Sequence, residues 1–284
     1  MKVDLIILNF LTYEDTYENI VSLEKNLINE NLDLQLIVVD NLSDKNKLME
    51  LKSKLKSCKF DIKYIPTKEN LGFAKGMNLG IEHSRKNFVI CSNNDIVYYK
   101  PFDIEKMTSI YNDKKDIGVI GPSIVNLNGE YQNPYIVDDV DWNITKRKIK
   151  NFLFFKSKVG YILYYLFSLK NEIVNKNKTA KKNKPESMNV YALHGAYFIL
   201  TPGYFRYFEG LDENTFLFSE ELILAERVKS KGLKEYYFSD EEVLHKEDSA
   251  TDSLLRSGIK KINFIFRENY KSKKYFFKEY IWKK

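Results

Sequence analysis

Cysteine is almost missing: Cys58 and Cys91 are the only two in 284 residues. Two thiols cannot build a disulfide framework, and Cys91 falls in an apolar run that reads as a buried strand, so a reducing, cytoplasmic setting is expected. No apolar run approaches the roughly 20 residues that a membrane-spanning helix needs. Met1-Lys2-Val3-Asp4 leads straight into an apolar run, so no signal peptide is expected. Internal repeats are lacking, as are the G-x-G-x-x-G dinucleotide loop and the G-x-x-x-x-G-K-[ST] phosphate loop.

What is present is an ordinary globular composition, 44% hydrophobic and 30% charged, with a formal net charge of +6. The positive balance permits anionic partners (phosphates, acidic lipid surfaces, nucleic acid) without choosing among them, and no nucleic-acid motif accompanies it. In the N-terminal half, strand-like and helix-like stretches alternate. Strands are expected at Val3–Leu8, Leu34–Val39, Phe60–Ile65 and Phe88–Ser92, with helices at Glu14–Glu30, Lys45–Ser57 and Asn70–His83 between them. Such alternation predicts an α/β fold with a mostly parallel sheet flanked by helices. Parallel strands end at one edge, so Asn9, Asp40, Asn41 and Asp95 should gather there, where open α/β sheets bind ligands.

Three stretches carry the chemistry. Asn93-Asn94-Asp95 ends a strand in one carboxylate flanked by amides, a setting for a hard divalent cation or an Asx-rich turn. Asp40, after Ile37-Val38-Val39, either starts a turn or holds the base or ribose of a nucleotide. In Asn70-Leu71-Gly72-Phe73-Ala74-Lys75-Gly76-Met77-Asn78-Leu79-Gly80 the glycines recur every fourth residue along one helical face. Each interior helical glycine costs about 1 kcal/mol relative to alanine, which points to close backbone approach to a strand or ligand, with Asn70, Lys75 and Asn78 free to face that ligand.

Together, Val38-Val39-Asp40-Asn41-x-Ser43, Asn70-x-Gly72-Phe73-Ala74-x-Gly76-x-Asn78-x-Gly80 and Asn93-Asn94-Asp95 resemble the family 2 glycosyltransferases of the GT-A fold, in the flavour of bacterial rhamnosyltransferase-like and capsule-assembly members. The resemblance implies a nucleotide-diphosphate-sugar donor, UDP- or dTDP-linked. Asn9, Asp40, Asn41, Ser43, Asn70, Gly72, Lys75, Asn78, Asn93 and Asn94 would lie around it. It also implies Mn²⁺ or Mg²⁺ on the diphosphate, held by Asp95; Asn93 stands where the D-x-D motif has its first Asp, so one anionic ligand is replaced by an amide. Gly210-Leu211-Asp212-Glu213 followed by Phe218-Ser219-Glu220-Glu221 resembles the family segment whose second acidic residue is the general base. That assigns catalysis to Glu221 with Glu220 in support; read alone, two glutamates at a helix start simply favour the positive end of its dipole. His245 stands where family members often carry a histidine that reaches the metal or the diphosphate. His194 is a weaker candidate, and His83 reads as structural.

By the same resemblance, residues 1–250 form the GT-A domain, with a donor-binding half at 1–125 and an acceptor half at 126–250. An aromatic, basic insertion occupies 137–185 and reads as a flap over the acceptor cleft or an interfacial segment. The tail, 251–284, is a basic amphipathic helical segment that suits either a peripheral membrane contact on the inner face of the plasma membrane or the protein's own core. The activity implied is inverting transfer of a sugar to a glycan or lipid-linked glycan acceptor of a bacterial surface polysaccharide such as capsule. A nucleotidyltransferase, or a non-catalytic nucleotide-sugar or glycan-binding subunit, is the competing reading, and no nucleic-acid partner is expected.

Overall fold

The computed structural model describes residues 1–28, 32–142, 184–247 and 259–283. In chain order the elements are β1 (Lys2–Asn9), α1 (Tyr13–Asn26), β2 (Asp33–Asp40), α2 (Lys45–Lys54), β3 (Ile62–Pro66), α3 (Phe73–Glu82), β4 (Phe88–Asn93), β5 (Ile96–Val97), α4 (Ile104–Asp113), β6 (Ile117–Asn126), β7 (Met188–Val190), β8 (Tyr197–Leu200), the single turn α5 (Pro202–Phe205), α6 (Glu220–Ser230), β9 (Lys234–His245) and α7 (Ile259–Phe276). A π-helical turn, Phe277–Ile281, follows α7. Most of the expected insertion, including the aromatic run Phe152–Phe167, lies outside the described residues, as does 248–258.

One nine-stranded sheet runs β3-β2-β1-β4-β8-β6-β9-β5, with β7 also paired to β9. The first four positions are parallel, as the strand–helix alternation predicts, and Asn9 sits opposite Asp40 at the shared edge. β8 then inserts antiparallel between β4 and β6. β9 runs parallel to β6, and the short β5 closes antiparallel on its end, pairing Ile96 with His245. The mostly parallel, helix-flanked sheet of the GT-A expectation is therefore the architecture observed.

Both faces are covered, which is why the central strands read as unbroken apolar runs. Along β1 the side chains alternate: Leu5 and Ile7 face the core under α1, α2 and α4, while Ile6 faces the opposite core with Met77 and Ile81 of α3 and Leu224 and Val228 of α6. Each fully buried Leu or Ile in these layers contributes about 1.5–3 kcal/mol. The glycine ladder of α3 packs against β1. A Cβ on Gly76 would stand 2.6 Å from Leu8 Cδ1, and one on Gly80 2.5 Å from Ile6 Cγ2, so only hydrogen at these positions lets the helix lie this close.

Several boundaries differ from expectation for local reasons. α1 stops at Asn26 rather than Glu30 because Leu27 turns extended and bridges to Phe102. α3 begins at Phe73 rather than Asn70. Tyr191–Leu200, an apolar run that reads from sequence as one strand with a Gly-Ala pair, is interrupted: Ala192 bridges to Ile136, and β8 starts only at Tyr197, after Gly195. The tail folds onto the protein's own core, where Phe276, Phe277 and Ile281 pack with Ile223 of α6, and Trp142 lies against them. Among the described residues no helix is long and apolar enough to cross a membrane.

Candidate active site

At the carboxyl edge of β1, β2 and β4, polar side chains that would be costly alone satisfy one another. Asp40, fully buried, accepts from Asn9 Nδ2 at 2.6 Å, from the Tyr13 hydroxyl at 3.0 Å and from Ser43 Oγ. Asn9 Oδ1 in turn accepts from Thr16 Oγ1 and Asn94 Nδ2. Asn94 also donates to Thr12, tying the end of β4 to the β1–α1 loop. Burial pushes the Tyr13 phenol up to about 12, so it stays a donor to Asp40 at any physiological pH. Of the residues expected around a donor, Asn9, Asp40 and Asn94 are thus placed together and buried, Ser43 is half-buried over them, and Asn93 is half-buried at the β4 edge.

The next loop is fastened to the same edge. Asn41 donates to Asn70 Oδ1 and Gly72 O and accepts from the Leu71 amide at 2.8 Å. Gly72 has φ +82, and the Phe73 amide that follows donates to Phe216 O, so the 210–219 segment straps over the start of α3. A side chain on Gly72 would be strained by that φ and would drive into Phe216. Asn78 holds the other end of the strap, exchanging hydrogen bonds with the Leu211 amide and carbonyl. Lys75 projects from α3 into solvent.

Asp95 and His245 come together because β5 pairs with the end of β9. Asp95 Oδ1 lies 3.4 Å from His245 Nε2, and the His245 Nδ1 is 2.8 Å from Gln132 Oε1. With Nδ1–H donating to Gln132, Nε2 is the ring nitrogen turned to the carboxylate. Two ligands of one cation at about 2.1 Å bond length sit about 3 Å apart, so this pair fits a divalent cation. One carboxylate and one imidazole suit Mn²⁺ better than Mg²⁺. Among the described residues no cluster of three or more His, Cys, Asp or Glu is placed to hold a metal, so phosphate and water oxygens would have to complete the shell.

The second carboxylate group opens α6. Phe218 and Ser219 both take left-handed backbone, φ 73 and 68, at about 1–3 kcal/mol each, and this turn sets Glu220 and Glu221 at the helix start. They line one cleft with Phe73 and Ala74 of α3, Gly195, Asp212 and Arg227. Burial, then the neighbouring Glu221 charge, lifts Glu220 to about 8. Burial also raises Glu221, opposed by its own amide and that of Gly195. A third carboxyl, Glu235 on β9, accepts from the Leu193 amide at 2.7 Å and is lifted to about 8 by burial, with Glu221 adding to it.

The short segment His194–Ala196 joins the two groups. His194 packs edge-on to His245, ring centroids 5.6 Å apart, Gly195 adjoins Glu221, and the Ala196 carbonyl accepts from the Asn93 amide at 2.8 Å. Burial, then the neighbouring His245 ring, lowers His194 to about 4, so it is neutral and its Nδ1 accepts from the Ala196 amide. Tyr13, Gln132, Gly195 and Glu235 were not singled out in the sequence. Nothing in its local pattern marks them, since each acts through a partner distant in the chain.

The glycosyl transferase family 2 model matches residues 5–175. No curated protein matches the sequence. Among solved structures, S. aureus TarS superposes with a TM-score of 0.56 at 15% identity, covering 87% of this chain and 37% of that one. GalNAc-T7, solved with UDP, GalNAc and Mn²⁺, gives a TM-score of 0.59 at 14% identity, covering 98% of this chain and 56% of its own. The chain therefore spans little more than a third to a half of those two proteins, and at such identities the likeness is one of fold. The family match extends over more than half of the sequence, and the chain belongs to glycosyl transferase family 2.

Proposed function

We propose that the protein is an inverting glycosyltransferase that moves a sugar from a UDP- or dTDP-linked donor to a hydroxyl of a lipid-linked glycan of a bacterial surface polysaccharide. The observation that carries this reading is the pair of chemically distinct clusters, Asp95–His245 and Glu220–Glu221, set on either side of His194–Ala196. An acid–base group next to an anion-neutralising group is what sugar transfer from a diphosphate requires.

In this reading the Asn9–Asp40–Tyr13 network and the Asn41-fastened loop shape the nucleotide side, and Lys75 and Asn78 flank it from α3. Asp95 and His245 would hold Mn²⁺ or Mg²⁺, which supplies positive charge to the departing diphosphate. Glu221 takes the acceptor hydroxyl's proton as the new C–O bond forms and the bond to the nucleotide breaks, with Glu220 keeping the negative charge of the pair shared. Raised carboxyl groups of this kind are matched to proton transfer near neutral pH.

A binding screen across sugar nucleotides, followed by donor hydrolysis and transfer with and without Mn²⁺, tests the proposal. Metal-stimulated turnover of one donor is expected. Tight donor binding with no turnover on any acceptor or water would instead support a binding subunit.

A further inference from the structure

We infer that the outward ridge of α7 is a docking surface for an anionic lipid bilayer, and that it adsorbs by charge rather than by inserting its apolar side chains. The inner face of the segment is already used: Glu268, Ser272, Phe276, Phe277 and Ile281 are buried against the protein. Ser272 Oγ donates to Leu217 O at 2.6 Å, and the hydroxyls of Tyr275 and Tyr280 both donate to Asp212. The aromatic residues that suggest membrane insertion from sequence are therefore largely committed to the core.

What remains outside is basic. Arg267, Lys271, Lys274 and Lys278 follow at steps of four, three and four, one helical ridge, and all four are exposed. At 1.5 Å per residue the ridge is about 16 Å long. Lys283 and the exposed Trp282 extend it at the end of the π-helical turn. Glu268 pairs with Arg267 and Lys271, and Glu279 with Lys278 and Lys283, so two carboxylates pair with four of the five cations and the edge stays positive. A straight row of cations ending in an exposed tryptophan complements a flat anionic surface with an interfacial layer. A lipid surface is also where a lipid-linked acceptor resides. The inference nevertheless stands apart from the transferase reading, because it is tested with no sugar nucleotide present.

The experiment is cosedimentation of the 284-residue chain with vesicles of phosphatidylcholine alone or mixed with equal phosphatidylglycerol, across a salt series. Binding to the anionic vesicles only, lost towards roughly 1 M NaCl where the screening length falls to about 3 Å, is expected. Each lysine near such a surface is worth about fivefold in affinity. Allowing for the paired carboxylates, Lys271→Gln/Lys274→Gln/Lys278→Gln should bind at least about tenfold more weakly with an unchanged circular dichroism spectrum. Wild-type affinity in that triple variant, equal binding to pure phosphatidylcholine, or no binding to anionic vesicles would each overturn the inference. If the triple variant misfolds, the single variants Lys274→Gln and Lys278→Gln decide the matter, each expected to bind up to about fivefold more weakly.

Discussion

Gly195 stands so close to Glu221 that a methyl group on it would lie 3.0 Å from Glu221 Oε1. Gly195→Ala should therefore displace the carboxylate without disturbing the Asp95–His245 pair. Misplacing a catalytic group by a fraction of an ångström to 1 Å costs roughly 10- to 100-fold. The expected outcome is a fall of that size in kcat with donor affinity unchanged; kcat within a factor of two of wild type would remove Glu221 from the reacting centre.

Glu221→Gln should cost about 10²- to 10⁴-fold in kcat, and Glu220→Gln less. The pair titrates as a unit, above the ordinary carboxyl value of 4.5, with Glu220 at about 8. A base must be ionised, so kcat/KM should be lost on the acid side, at a pH above the ordinary carboxyl value of 4.5. Glu220 is the member held protonated, up to about pH 8, by burial and the Glu221 charge, so Glu220→Gln should leave the acid limb in place and remove any further change near pH 8. An acid limb displaced by Glu220→Gln would show that Glu220 carries the charge at neutral pH.

Glu235 provides a stability test free of catalysis. Its folded-state value of about 8 exceeds the ordinary 4.5, so the folded protein holds this proton more tightly than the unfolded chain. Its stabilising contribution is complete below about pH 4.5 and is lost as pH rises through 8. Glu235→Gln should match wild type in thermal melts near pH 5 and melt several degrees higher near pH 9. A constant difference at both pH values would mean that the carboxyl is ionised throughout.

Asp95→Asn should leave the melt unchanged and sharply weaken Mn²⁺-dependent donor binding, since Asp95 is the one carboxylate in Asn93-Asn94-Asp95. Calorimetry with the donor in the presence and absence of Mn²⁺ measures it. His245→Ala should act in the same direction and lower any preference for Mn²⁺ over Mg²⁺.

Burial by itself would raise Asp212, yet hydrogen bonds from Tyr280, Asn214 and Tyr275 hold its carboxyl below the usual range. Tyr275→Phe/Tyr280→Phe should loosen the tail from the strap that leads into Glu220. Hydrogen bonds to a charged group contribute about 1.5–3 kcal/mol each, so a lower melting temperature together with a lower kcat is expected. A lower melting temperature with full kcat would separate the tail from the catalytic strap.

The convergence of Asn9, Asp40, Asn41 and Asp95 was legible in the sequence because parallel strands bring their carboxyl ends to one edge, whatever their order. The tight approach of α3 to β1 was legible in its glycine spacing. What could not be read was anything set by non-local pairing. The antiparallel insertion of β8, the contact of Gly195 with Glu221 and the burial of Glu235 beside Leu193 depend on segments far apart in the chain. Tail docking stood open for a related reason. A helix with aromatic and basic sides satisfies the same pattern on a membrane or on a protein, and only the fit of Phe276 beside Ile223 and Trp142 distinguishes them.

The two-residue strand β5 fixes when, as well as where, the Asp95–His245 pair can exist. Among the described residues its partner is β9, the last strand in chain order, so a chain emerging from the ribosome carries Asp95 long before the imidazole that faces it has been made. Until β9 is laid beside β6, the nascent chain has the Asn9–Asp40 edge without the Asp95–His245 pair. If the pair holds a cation as proposed, cation binding is a readout of a finished domain.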